Sequence, residues 1–350
     1  MIYLFKSEEN CTSINDSLQK EIGIYHFYEY FCIILAPINV VFNLIAMLLF
    51  RKQIIRSSST LMSHVLLGLS FTEVVFQLSV LIFSGFEFIE LDRLLIIKKI
   101  VTIGFMDTFI RVVHWMMFSS LLMRNWNVVL LAGFRYECIC RAMTPRKLFT
   151  VKSIRVFQFL IIILSLSLTF PRMLEEVNIY CKKNGFRINS IDFLGGYVLY
   201  KYAYINFILF AVQSGGPSFL VCIFSCLVIQ QIKFHNQQRK NRFQKSNQNQ
   251  RICSSDKLVI CLCVAFIILE TPSFFSKLCH ATKLLPDDIN THFSFITNML
   301  IYLDSTANVF IYLFSNEQFR KDLFKPFNHC KTATGSCEPQ ENLEVQNFLP

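Results

Sequence analysis

The sequence predicts an all-α integral membrane protein: a seven-transmembrane helix bundle followed by a short amphipathic juxtamembrane helix. Three observations carry this. The 350 residues have a mean hydropathy of +0.44, with 53% apolar and only 17% charged residues, where soluble domains carry about 25% charged residues. Seven apolar spans fall near 26–50, 60–86, 103–140, 154–172, 202–232, 257–281 and 291–315, each long enough to cross a hydrocarbon core of about 30 Å. Finally, basic residues concentrate in alternate connecting segments, as the positive-inside rule requires of a membrane bundle.

Residues 1–25 read as an extracellular glycosylated tail, because Asn10-Cys11-Thr12 and Asn15-Asp16-Ser17 are two sequons ahead of the first span. Met1–Phe5 is too short an apolar run for a signal peptide. An outside N-terminus and seven crossings, with the membrane domain at 26–315, put the C-terminus in the cytoplasm. The charges agree. The segments and span ends assigned to the cytoplasm hold 19 basic and 7 acidic residues, a net of +12, against 12 basic and 13 acidic outside, a net of −1. The overall +10 therefore reflects orientation and attraction to anionic membrane lipid, and nucleic acid is not expected as a partner.

The basic stretch 233–256 reads either as a solvated loop or as a docking surface for an intracellular partner. In 316–327, Phe319, Leu323 and Phe327 recur every four residues, with Glu317, Arg320, Lys321 and Lys325 on the other face. This predicts an amphipathic helix lying on the inner leaflet. Cys330 follows as the palmitoylation candidate. Residues 328–350 read as a disordered cytoplasmic tail, with Thr332, Thr334 and Ser336 as phosphorylation candidates. Most of the thirteen cysteines are scattered singly through apolar spans, and the doublets Cys138/Cys140 and Cys261/Cys263 have no histidine cluster beside them. Neither a metal site nor a cofactor is expected.

The third span carries the costliest residues. Arg124 and Arg135 sit deep in it, with Arg111 nearer its start, and a charge in hydrocarbon costs several kcal/mol unless it is paired or watered. Eleven residues separate the first two, three helical turns or about 16 Å, so they share one face. That face must look into a polar interior built by other helices.

Seven spans with a glycosylated outer tail and a juxtamembrane helix resemble the rhodopsin-like (class A) family of G-protein-coupled receptors over roughly residues 30–327. Asn43 matches the family's asparagine of the first helix. Leu69-Ser70-Phe71-Thr72-Glu73 resembles the second helix's L-A-x-x-D, with glutamate for aspartate. Arg135-Tyr136 fits D-R-Y, Pro217 and Pro272 fall where helices 5 and 6 keep prolines, and Asn308-Val309-Phe310-Ile311-Tyr312 resembles N-P-x-x-Y. Phe314-Ser315-Asn316-Glu317-Gln318-Phe319-Arg320 is similar to the run that follows it. Phe170-Pro171-Arg172 with Glu175, and Glu270-Thr271-Pro272-Ser273-Phe274-Phe275, look most like invertebrate, especially nematode, FMRFamide-type neuropeptide receptors.

The resemblance implies an extracellular peptide or small-molecule ligand, a heterotrimeric G protein and arrestin as partners, and no enzymatic activity. It places Glu73, Arg124, Glu270, Asp304 and Ser305, with Asn43, in one intramembrane polar network. Family members usually keep a sodium ion there. Arg124, a fixed cation with five donors, is expected to replace it. Three acids around one arginine leave an excess of negative charge, so one carboxyl, Glu270, is expected to be protonated. Arg135, Tyr136, Asn308, Tyr312 and Pro272 are the implied coupling and switch residues. The ligand-pocket candidates are Asp107, Arg111, His114, Met117, Phe118, Glu175 and Glu176, and an acidic outer rim suits a basic peptide such as one ending in Arg-Phe-amide.

Several departures bear on mechanism. Phe134 stands where an acid normally restrains the arginine, which predicts raised basal activity or divergent coupling. Ile252, Glu270, Val309 and Ser225 replace the usual acid, aromatic, proline and tyrosine of spans 6, 6, 7 and 5. The outer end of span 3 has no cysteine, so Cys181 lacks its usual partner and either pairs with Cys11 or Cys279 or stays free. Two other readings compete. A transporter also keeps intramembrane charges, but usually shows repeats or broken helices, which are absent from this sequence. A chemosensory receptor for a small molecule would share the fold and differ only in ligand.

Overall fold

The computed structural model describes residues 16–56, 61–94, 103–140, 149–174, 204, 208–242, 254–282, 284, 286–315 and 319–324. These residues contain no strand. Their long helices are α1 (Asp16–Arg56), α2 (Leu61–Leu94), α3 (Ile103–Cys140), α4 (Val151–Thr169), α5 (Gly216–Arg242), α6 (Ser254–Thr282) and α7 (Asp287–Ser315). A helical bundle is what hydrocarbon demands, because each backbone polar group must find its partner within the chain. By length and composition α1, α2, α4, the segment leading into α5, and α6 can cross a membrane. Within their long helices, α3 and α7 carry the charged groups Arg124 and Asp304.

α3 is the axis. It packs on α2, α4, α5 and α6, while α1 with α2, and α6 with α7, form the flanking pairs and α1 against α7 closes the ring. The bundle is apolar outside, and its apolar core encloses polar and charged groups. Phe27, Ile34, Leu48, Phe159, Phe219, Ile268 and Phe314 are exposed, whereas Arg124, Glu73, Asn43 and Asp304 are buried. α4 shows how little of a peripheral helix is needed, burying only Ile154, Ser165 and Thr169. Its start is fixed by a capping box, in which Thr150 accepts from the Ser153 N–H and Ser153 Oγ accepts from the Thr150 N–H.

Side chains on α3 hold the neighbours in register. Trp115 Nε1 donates to the Leu166 carbonyl at 3.2 Å, and the Ser119 and Thr169 hydroxyls lie 2.5 Å apart, joining α3 to α4. The connection to α5 follows from a backbone defect. Pro217 has no N–H, so the Gln213 carbonyl loses its helical donor. The turn Ala211–Gly215 is π-helical, and the Gly216 N–H reaches back to the Ala211 carbonyl. A Cβ on Gly216 would lie 2.9 Å from that oxygen, so the close approach requires glycine. Two consecutive α3 residues supply the missing donors: Asn125 Nδ2 to the Gln213 carbonyl at 2.7 Å, and Trp126 Nε1 to the Val212 carbonyl at 3.1 Å.

The helix bounds depart from the predicted spans. α1 starts at Asp16, so part of the predicted tail continues the helix, and α5 runs to Arg242, into the predicted loop 233–256. In both places the polar residues are good helix formers, and the helix continues past its apolar run. The juxtamembrane segment also needs correction. Residues 319–324 are helical, yet Phe319 is 1% exposed and sits in a core cluster. Its ring lies 5.5 Å from Phe50 on α1 and 5.9 Å from Tyr312 on α7. Buried Asp322 pairs with Arg56 at 2.8 Å. At Phe319 the apolar face is therefore turned into the bundle, where an aromatic socket on α1 and α7 covers it.

Removing the Asn125 donor should leave the Gln213 carbonyl unpaired. Asn125→Leu is expected to destabilise the detergent-purified protein by about 1 kcal/mol, the scale of interhelical hydrogen bonds in membranes. Thermal unfolding against wild type measures it, and an unchanged Tm would show that the π-turn carbonyl needs no α3 donor.

Candidate functional site

The centre of the bundle is one guanidinium among three carboxyls. Arg124 on α3 is 0% exposed, the largest fully buried side chain. Its Nη2 is in direct ionic contact with Glu270 of α6. Nε lies 3.9 Å from Glu73 Oε1 on α2, and Nη2 lies 3.9 Å from Asp304 Oδ2 on α7. Nη1 donates to the Ile301 carbonyl at 3.1 Å, Nε donates to Asn125 Oδ1 at 3.3 Å, and the guanidinium carbon stands 5.4 Å above the Phe76 ring. A planar fork with five donors can serve several helices at once, which an ammonium cannot do.

The surrounding amides extend the network. Asn308 Nδ2 on α7 donates to Glu73 Oε1 at 3.0 Å. Asn43 Nδ2 donates to the Asn39 carbonyl at 3.0 Å and to Ser305 Oγ at 3.4 Å. Asn39, one turn before Asn43, accepts from Thr306 Oγ1 at 2.8 Å and donates to the Tyr302 carbonyl at 3.4 Å. Tyr28 donates its hydroxyl to Tyr302 at 2.9 Å. All six residues grouped from the sequence as an intramembrane network thus lie together.

Glu270, the carboxyl expected to be protonated, is the one the fork reaches first. Glu270 is the direct ion-pair partner of Arg124. Asp304 is the least supported carboxyl, since neither of its buried oxygens has a hydrogen bond. Sequence position alone cannot tell which of three carboxyls the fork reaches first.

Toward the opposite ends of α3 the environments differ. At one end Arg135 is 8% exposed, with its guanidinium carbon 5.8 Å from the Phe134 ring and Nη2 against Met62 Sδ. It lines an apolar cleft between α3, α5 and α6 with Phe224, Ser225, Val259 and Cys263. Tyr136 packs on Phe224 at 5.7 Å, and Glu137 Oε2 accepts from the Phe149 N–H at 2.9 Å. Tyr312 is fully buried, edge-on to Phe50 at 5.2 Å. Pro272 lies inside α6, two residues past Glu270.

At the other end His114 is buried between Phe83 and Phe118, at 5.6 and 4.7 Å. Arg172, on the 3₁₀ turn Phe170–Leu174, stands 4.8 Å over the same Phe118 ring. Met117 is in the core, and Arg111 is partly buried. Cys279 is a free thiol among the described residues. Glu175, Glu176, Cys181, Asn10, Asn15, Cys330 and the side chain of Asp107 lie outside the described residues. Sequence reasoning missed Asn39, Asn125, Gln213 and Lys277. The Gly-Gly-Pro tract inside span 5, which demands outside donors, was the signal available for Asn125.

Removing one member of a buried ion cluster leaves charge uncompensated, at about 3–5 kcal/mol. Arg124→Met is therefore expected to abolish or sharply reduce folded yield, and Glu270→Gln in the same chain should recover part of the loss. Tm values for both single variants and the double variant measure the coupling; strict additivity would mean that the two groups do not interact.

The matched sequences agree with this architecture. Residues 42–312 match the family model described as 7 transmembrane receptor (rhodopsin family). The chain is also 22% identical over 198 residues to the FMRFamide receptor of Drosophila melanogaster, covering 53% of this chain and 34% of that protein, so the match spans about a third of the relative's length. With most of the chain inside the family match and the seven helices in place, this multi-pass membrane protein belongs to the rhodopsin family of seven-transmembrane receptors.

Proposed function

We propose that this chain is a plasma-membrane G-protein-coupled receptor for an extracellular neuropeptide of the FMRFamide-like class, with its N-terminus outside. The ion pair between Arg124 of α3 and Glu270 of α6 carries the reading. It ties the axial helix to α6 two residues before Pro272, where the helix lacks a backbone N–H and bends most easily. Outward swing of α6 about Pro272 would open the cleft lined by Arg135, Val259 and Cys263 and offer Arg135 and Tyr136 to the G protein. Asn308, held on Glu73, and Tyr312, held on Phe50 and Phe319, would transmit the same movement along α7. The relative's peptide class and the match to this family support the ligand assignment. The basic excess in the segments flanking Arg135 supports a cytoplasmic face there. The tail beyond 328, with its hydroxyl residues, suits arrestin.

Arg124 itself serves as the cation of the acid cluster. Its guanidinium lies within 3.9 Å of Glu73 and Asp304 and touches Glu270, so these carboxyls do not fit a sodium ion. Phe134 stands where the family keeps an acid, and raised basal signalling is the outcome this substitution predicts.

Expression with a promiscuous G-protein reporter and a library of Arg-Phe-amide peptides tests the assignment. Wild type should signal above mock-transfected cells without peptide, respond to members of the library, and lose both responses as Arg135→Ala. Replacing sodium by N-methylglucamine should leave potency within about twofold. Silence to every peptide from surface-expressed receptor would overturn the ligand class, and a sodium-dependent potency would overturn the role of Arg124.

A further inference from the structure

The carboxyls buried at the middle of the bundle, Glu73, Glu270 and Asp304, are gathered on Arg124. From that cluster toward the His114 end, the described interior charges are of the opposite sign. Lys277 of α6, two turns beyond Glu270, is partly buried, and its ammonium has the Ser214 hydroxyl at 3.0 Å as its polar partner. An ammonium in a bundle interior is costly when a lone hydroxyl answers it.

Two further groups face the same problem. Gln213, the chain neighbour of Ser214, is 3% exposed, and its Nε2 has no hydrogen bond. His114 is 3% exposed with Nδ1 unpaired. Buried donors without partners are rare in a finished core and mark a place for a ligand or ordered water. The walls here are aromatic. Phe210 and Phe274 stack at 4.8 Å beside the π turn, and Phe118 carries Arg172 on one side and His114 on another.

We infer that Lys277, with the Gln213 amide, forms an anion subsite that takes a carboxylate of the activating ligand. The inference rests on the peptide-receptor reading above and narrows it. The carboxylate comes either from an acidic side chain ahead of an amidated end or from a free C-terminus. The ligand completes the donor set of Lys277 and Gln213, and the aromatic walls keep water from competing. A peptide bearing only basic and neutral groups leaves this subsite unfilled.

The test uses the full-length receptor in cells with a promiscuous G-protein reporter. Four versions of one Arg-Phe peptide differ at an upstream position, Asn or Asp, and at the C-terminus, amide or acid. On wild type the carboxylate that fits the subsite, from Asp or from the terminus, should raise potency about tenfold, the size of one charge-assisted hydrogen bond. Lys277→Met should abolish that preference, Lys277→Arg should keep it, and Lys277→Glu should reverse it in favour of the neutral version. Equal potencies on wild type, or a preference surviving in Lys277→Met, overturn the subsite.

A second measurement separates this failure from failure of the receptor reading. If no peptide acts on any variant at normal surface expression, the ligand class is wrong, and the Tm of purified, ligand-free protein decides for Lys277. A higher Tm for Lys277→Met than for wild type is the result expected of a cation kept for binding. An equal or lower Tm means that Lys277 is a structural tether to Ser214 and overturns the inference.

Discussion

A single buried cation sets the arrangement of this bundle. Apolar burial cannot order helices in lipid, because the tails are as apolar as the side chains, and directional contacts must do it instead. Arg124 provides them to α2, α6 and α7 at once. Without it Glu73, Glu270 and Asp304 would face one another in a dry interior. Two of three helices would have to move apart, or the carboxyls would have to be neutral. With it, the three helices have a common centre on α3, and the Ile301 carbonyl gives the guanidinium a further anchor on α7. The cost of placing an arginine at 0% exposure is high, and the geometry shows what offsets it.

The same economy governs the backbone. Where Pro217 and the π turn free carbonyls, side chains from α3 take them, as Asn125 and Trp126 do for Gln213 and Val212. Trp115 reaches the Leu166 carbonyl in the same manner. α3 is therefore an axis in hydrogen bonding as well as in packing. Its sequence alternates bulky apolar residues with amides and indoles because each donor has a specific carbonyl to reach. On the far flank Asn39 and Asn43 do this between α1 and α7, which leaves the lipid-facing side of α1 free to be apolar.

The fold class was legible because length and apolar runs dominate a membrane chain, and α1–α7 each overlap a predicted span. The polar network was legible because charged residues in such runs must converge on one another. What could not be read was the partition among equals. Three carboxyls compete for Arg124, and only packing decides that Glu270 touches it while Asp304 stands off without a hydrogen bond. The juxtamembrane helix misled for a related reason. A four-residue apolar repeat says which face is apolar and not what covers it, and here Phe50 and Tyr312 cover Phe319. Lys277 escaped notice because a lone lysine near a span end usually reaches for water, whereas this one is turned inward to Ser214.

Position along α6 connects the two ends of the bundle. Glu270 and Pro272 share one turn of α6 and Lys277 lies about a turn and a half beyond Pro272, while Val259 and Cys263 of the Arg135 cleft lie toward the other end of the helix. A ligand charge drawn to Lys277 pulls on the helix above the proline, while Arg124 holds it below. Coupling between sites requires a ligand to favour one of two arrangements by its own contact energy. A rigid α6 would transmit such a pull without discriminating between arrangements. On the proposed reading, Pro272, placed between the binding contact and the buried ion pair, would allow the two segments to differ in tilt, so that the segment lining the cleft would move when the hold of Arg124 on Glu270 is loosened. The ion pair would then set the height of the barrier, and the proline the direction of the swing.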